Sequence, residues 1–103
     1  MLGAIIGDVC GSVYEFDNCK TDRVNEIVLL QKNCSYTDDS VLAVAVADAC
    51  LGNGDYQAAL LKWGRACDTV GYGRAFARWL TAENPQPYNS WGNGSAMRVA
   101  PVA

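Results

Sequence analysis

The chain has no histidine, and its five cysteines, Cys10, Cys19, Cys34, Cys50 and Cys67, form no Cys-x-x-Cys pair. Both absences exclude the common zinc and redox motifs. Thiols at such spacing are expected to be reduced and to act as small buried hydrophobes. The eight basic residues are scattered without a run and the net charge is −3. A dedicated nucleic-acid surface needs clustered Lys and Arg, so no nucleic-acid binding is expected. No apolar run is long enough to span a bilayer, and the opening Met1 to Asp8 lacks a basic flank and is interrupted by Asp8. Neither a membrane span nor a signal peptide is therefore expected, and the reading is a cytoplasmic chain. Walker A and GxGxxG fingerprints are missing, as are repeats and low-complexity segments.

What is present is ordinary globular composition, 50% hydrophobic and 18% charged over 103 residues, which limits the chain to one domain at most. Apolar residues at Leu2, Ile5, Ile6, Val9 and Val13 predict a helix from Met1 to about Phe16. Gly3, Gly7 and Gly11 line one strip of it, an arrangement suited to close approach of another backbone or a ligand. Val24 to Leu30 reads as a short strand or edge segment. Asp39 to Leu51 is rich in Ala and unbroken by Gly or Pro, and predicts a strong helix. Gly52-Asn53-Gly54 stops it, and Asp55 is placed to cap a helix running to about Cys67. A turn at 70–73 leads into a helix over 74–82 with Phe76, Trp79 and Leu80 on one face, ended by Asn84-Pro85-Gln86-Pro87. A further helix starts near Ser95. The expected fold class is all-α.

Three patches carry chemistry. The first is Tyr36-Thr37-Asp38-Asp39-Ser40, at the start of the Ala-rich helix. Thr37 or Asp38 as N-cap with Asp39 in the first turn is a sufficient structural reason for these residues, stabilising by about 1 kcal/mol. The same oxygens can also serve one hard cation, provided that further carboxylates arrive from elsewhere. The second patch is Asp8 and Glu15, about two turns apart on the first helix and so on one face. Asp8 stands among Ile5, Ile6, Gly7, Val9 and Gly11, where a free charge is costly, and needs a metal or a helix N-terminus as partner. The third is Ser90-Trp91-Gly92-Asn93-Gly94-Ser95-Ala96-Met97-Arg98. It is either a plain Asn-Gly turn or a loop whose N–H groups cradle phosphate oxygens, with Trp91 free to stack on a ring and Arg98 to pair with an anion. Gly92 and Gly94 are expected at positive φ, where a β-branched residue is strained.

Taken in order, Gly3 to Glu15, Tyr36 to Ser40 and Gly92 to Arg98 resemble the ADP-ribosylglycohydrolase family, which includes the dinitrogenase-reductase-activating glycohydrolases. The resemblance runs from Gly3 to the last residue. It implies an all-α fold with two magnesium or manganese ions in a cleft, and hydrolysis of the bond between ADP-ribose and a protein side chain or related acceptor. By resemblance, Thr37, Asp38 and Asp39 match the metal-ligand motif, and Glu15 matches the acidic catalytic residue near the metals. Ser90, Trp91, Gly92, Asn93, Gly94 and Ser95 match the loop that holds ribose and diphosphate. Ser40 stands where many members carry a second Thr.

Family members are more than twice this length, and their later Asp-x-Asp-Thr metal motif is missing here. The expectation is a partial domain over residues 1–103, lacking the C-terminal part. Its partners would be ADP-ribose or an ADP-ribosylated protein and a complementing C-terminal segment. The alternative is a non-catalytic ADP-ribose-binding or structural remnant of the same fold.

Overall fold

The computed structural model describes residues 1–15 and 20–102. Five α-helices follow in chain order: α1 (Leu2–Glu15), α2 (Asp38–Leu51), α3 (Tyr56–Ala66), α4 (Arg74–Thr81) and α5 (Gly94–Met97). Short 3-10 turns occupy Val24–Glu26 and Ala100–Val102. No strand occurs among the described residues, so the chain is all-α as expected.

Helix α2 is the centre of the fold. Val41, Leu42, Ala43, Ala45, Val46 and Ala49 are all buried, which spreads apolar contact over more than half of the helix circumference. A face this broad needs several neighbours to cover it, and its alanines let them come close. α3 packs along it most extensively, with α1, α5 and the C-terminal 3-10 turn against its other sides. Gly52 and Gly54 turn the chain, the latter at φ +79. Asp55 then caps α3 by accepting the Ala58 N–H at 2.9 Å. Asp48 on α2 accepts from Lys62 Nζ at 2.7 Å and Trp63 Nε1 at 2.8 Å, which fixes the register of α3.

The core beyond α2 gathers Leu42, Phe76 and Leu80, with Leu60, Leu61, Tyr72, Trp79 and Met97 packed against them. Helices α3 and α4 meet at Gly64, which is buried. A Cβ added there would lie 2.6 Å from Leu80 Cδ2 and 3.1 Å from Leu80 Cδ1, so a side chain at this crossing would force the buried Leu80 to shift. Gly64→Val is expected to destabilise the fold by about 1–3 kcal/mol through overpacking, read as a lower urea midpoint. An unchanged midpoint would contradict this packing.

Several expectations need correction. Residues 24–30 do not form a strand: Val28 gives its N–H to Tyr14 Oη and its carbonyl accepts from the same hydroxyl, both at 2.9 Å. Gln31 Nε2 also donates to Tyr14 Oη at 2.7 Å. A single side chain from α1 thus supplies what a neighbouring strand would have supplied. No described residue approaches the glycine strip of α1: a Cβ at Gly3, Gly7 or Gly11 would meet nothing within 4 Å. Of the cysteines, Cys10 is buried, Cys34 and Cys67 are half-buried and Cys50 is exposed, so the uniformly buried reading fails. Cys19 and the expected helix end at Phe16 lie outside the described residues. No helix among the described residues is long and apolar enough to cross a membrane.

Candidate functional site

The site starts from the N-terminus of α2. Thr37 is the N-cap, with extended backbone and its Oγ1 accepting from the Asp39 N–H at 3.3 Å. The same hydroxyl donates to Asp8 Oδ1 at 2.6 Å. Asp8 Oδ2 accepts from the Thr37 N–H at 2.9 Å, the Ser40 N–H at 3.2 Å and the Ser40 hydroxyl. Of the two partners expected for Asp8, the helix N-terminus is the one found. A carboxylate from α1 thereby caps α2 across the interface, where free N–H groups and the helix dipole favour negative charge. Thr37 and Ser40 are only 6% and 5% exposed, so these bonds hold the acidic segment in a protected frame.

Asp38 and Asp39 follow in the first turn and are half-buried. Burial pushes the Asp38 carboxyl above its ordinary value, and the negative charges of Asp39, Glu15 and Asp8 add to it. A hydrogen bond from the Asp38 backbone opposes the shift. Asp39 is raised as well, by burial first and then by Asp8. Glu15 is exposed at the end of α1, yet its charge is felt at Asp38. Four carboxylates thus share one neighbourhood.

Such a donor set suits a hard divalent cation, which takes oxygen ligands and relieves their repulsion. The Thr37 hydroxyl gives its proton to Asp8 and accepts one N–H, which leaves one lone pair. Among the described residues, however, no group of three or more carboxylates, thiolates or imidazoles converges to hold a metal. Thr37, Asp38 and Asp39 fit one side of a cation site and do not close it.

Because Asp38 and Asp39 hold their protons more strongly in the folded chain, the fold loses stability as pH rises from 3.8 through the raised folded values. Below 3.8 that loss is absent. Asp38→Asn is therefore expected to stabilise the fold slightly at pH 7 and to have little effect at pH 3. Melting curves at the two pH values check this, and a lower melting point at pH 7 would contradict it.

The third patch meets the first in a cleft of about 850 Å³. Asp38, Leu42 and Val46 form one wall, on one face of α2, and Phe76 and Trp79 of α4 form another. Ser90, Gly92, Asn93, Gly94, Ser95 and Arg98 close the rim. Glu15, Thr37 and Asp39 do not line this space, and Trp91 stands fully exposed outside it. The Ser90 hydroxyl accepts the Gly92 N–H at 3.1 Å, and Asn93 O accepts from Ala96 and Met97. The N–H groups of Asn93, Gly94 and Ser95 have no acceptor among the described residues.

Positive φ is not what Gly92 and Gly94 supply, since among the described residues only Gly54 and Gly71 adopt it as glycines. At Gly94 an added Cβ would lie 2.7 Å from Arg98 Nη2, so a side chain there would push the guanidinium aside. Arg98 donates its Nε–H to Gly94 O and stacks its guanidinium 5.3 Å from the Phe76 ring centroid. Burial pulls its pKa down, while the charges of Tyr88 and Asp38 push it up. Arg74, which sequence reasoning left unassigned, lines the same cleft. Chemically, the cleft offers an apolar floor, two guanidinium groups, free backbone donors and one carboxylate edge.

A family model for ADP-ribosylglycohydrolase matches residues 1–103. The chain is similar to ADP-ribosylarginine hydrolase Tri1 of Pseudomonas putida (strain GB-1), with 30% identity over 127 aligned positions. The alignment takes in 100% of this chain and 34% of that protein, so the chain spans about a third of the length of this relative. No solved structure matches the chain.

Proposed function

This chain belongs to the ADP-ribosylglycohydrolase family, and from that premise we propose that it supplies the ADP-ribose-holding side of a metal-dependent hydrolase site. The reaction is cleavage of the glycosidic bond between ADP-ribose and a modified protein side chain. The observation that carries the reading is the shared cleft, in which Asp38 and the 90–95 loop face one space. The free N–H groups of Asn93, Gly94 and Ser95 and the Arg98 guanidinium supply hydrogen bonds for a diphosphate. Leu42, Phe76 and Trp79 give a ribose or base an apolar surface.

A magnesium or manganese ion would be held here by Thr37, Asp38 and Asp39. When bound, such an ion polarises oxygens and lowers the pKa of water. Asp8 keeps the three in place by capping α2. Glu15, exposed at the edge of the acidic group, is the candidate base that orients or deprotonates the attacking water. The transition state is expected to be oxocarbenium-like, as in other glycoside hydrolysis. The relative's name makes ADP-ribosylarginine the first substrate to test.

The absence of a closed acidic cluster among the described residues favours a second reading, an ADP-ribose-binding chain without catalysis. Both readings require the cleft to bind ADP-ribose. Replacing Gly92 and Gly94 with Val should displace Arg98 and weaken ADP-ribose binding by roughly 10-fold or more, the scale of one lost charge-assisted hydrogen bond. Calorimetry on the folded double variant checks this, and unchanged affinity would remove the loop from the site.

A further inference from the structure

The cleft runs along α2. Asp38, Leu42 and Val46 are spaced four residues apart on one face of the helix, and all three line it. At 1.5 Å per residue they span about 12 Å. One end lies over the first turns: Arg98 stacks on Phe76, and Phe76 packs with Leu42. The other end lies over the last turns. There Tyr56 and Gln57, at the start of α3, line the cleft. Tyr56 Oη is 3.5 Å from Cys50 Sγ, one turn beyond Val46.

Gln57 is the side chain at this far end whose hydrogen-bonding sense is set. Its Nε2 donates to the Pro85 carbonyl at 3.1 Å. A carbonyl only accepts, so the amide cannot turn over without setting two acceptors against each other. The nitrogen stays on Pro85, which leaves Oε1 and the second N–H for another partner. An amide acceptor and donor together match the N6 amino group and N7 of adenine. A 6-oxo purine carries an oxygen in place of that amino group and would face Oε1 with a second acceptor. Beside this amide, Tyr56 and Tyr88 line the cleft with rings 45% and 43% exposed, an amphipathic surface on which a base can rest.

We propose that Gln57 is a specificity residue that reads the base of the ligand and selects adenine over 6-oxo purines. The inference rests on the reading of the cleft given above. With the diphosphate held at the 90–95 loop and Arg98, the adenosine half lies along α2 toward the start of α3. The length of about 12 Å between Asp38 and Val46 is comparable with the reach from a diphosphate to the far edge of its base. The Pro85 carbonyl is what makes the choice one-sided, because it opposes the amide flip that would let Gln57 donate to a 6-oxo group.

The test measures, by calorimetry, the affinity of the 103-residue chain for ADP-ribose and for its hypoxanthine analogue, inosine diphosphate ribose. The parent should bind the adenine form roughly 10-fold more tightly, within the range of one bidentate base contact. In Gln57→Met, which keeps the length of the side chain without its polar atoms, the ratio should fall to about 1. Gln57 is exposed, so the variant should keep the fold, which its melting curve checks. Loss of the Pro85 contact could disturb the cleft generally, but that would weaken both ligands alike and leave the ratio unchanged. Equal affinity of the parent for the two ligands, or a ratio that survives in Gln57→Met, overturns the role of Gln57 and leaves the cleft intact. A parent chain that binds neither ligand overturns the reading of the cleft, and the role of Gln57 with it.

Discussion

Asp8→Ala is expected to cost the fold roughly 3–4 kcal/mol, a large share of the 5–15 kcal/mol typical of a whole domain. The substitution removes a charged acceptor that serves two backbone N–H groups and two hydroxyls at the start of α2. Thr37 and Ser40 are buried, so water cannot fully replace what is lost. Hydrogen bonds to charged groups contribute about 1.5–3 kcal/mol each, although bonds sharing one acceptor do not add in full. Asp8→Asn should recover part of the loss, because one side-chain oxygen remains as acceptor. Urea unfolding measures both variants. A loss below about 1 kcal/mol for Asp8→Ala would show that α2 is capped without α1.

The second large effect concerns the cation. The 103-residue chain is expected to bind Mg²⁺ only weakly, at about millimolar or weaker, and to release no ADP-ribose from a modified protein. In the proposed site Thr37, Asp38 and Asp39 would make one side of a shell, and no three acidic, thiol or imidazole groups among the described residues close it. Water would fill the remaining positions, at a cost in affinity and in control of the hydrolytic water. Calorimetric titration and an ADP-ribose release assay test the two parts. Tight two-site Mg²⁺ binding with metal-dependent turnover would show that these residues complete a metal centre by themselves.

The parts of this structure legible in the sequence are those set by short-range physics. Thr37 as N-cap, Asp55 as the next cap and the Gly52-Asn53-Gly54 stop depend on neighbours within a turn, and each falls where local rules place it. Asp8 was legible in kind, because a carboxylate among apolar residues must find a partner. Its pairing with both Thr37 and Ser40 depends on how α1 crosses α2, which no local pattern encodes. Gly64 carries no local signal either, since its purpose is the approach of Leu80 from another helix. The glycine strip of α1 shows where a close neighbour fits, and among the described residues none occupies it. Gln57 carries no local signal, since the carbonyl that orients its amide comes from Pro85, 28 residues away. Trp91 shows the reverse: its motif points to a ligand, while the chain holds the ring in solvent, outside the cleft its neighbours line.

The central claim is that ADP-ribose occupies the cleft between Asp38 and the 90–95 loop. Backbone amide resonances of the ¹⁵N-labelled chain, followed during titration with ADP-ribose, test it most directly. The account predicts saturable shifts at Asn93, Gly94 and Ser95, whose N–H groups are free to donate, with smaller shifts at Asp38 and Arg98 across the cleft. Shifts confined to α1 and residues 20–31, or none at saturating ADP-ribose with the chain folded, would contradict it.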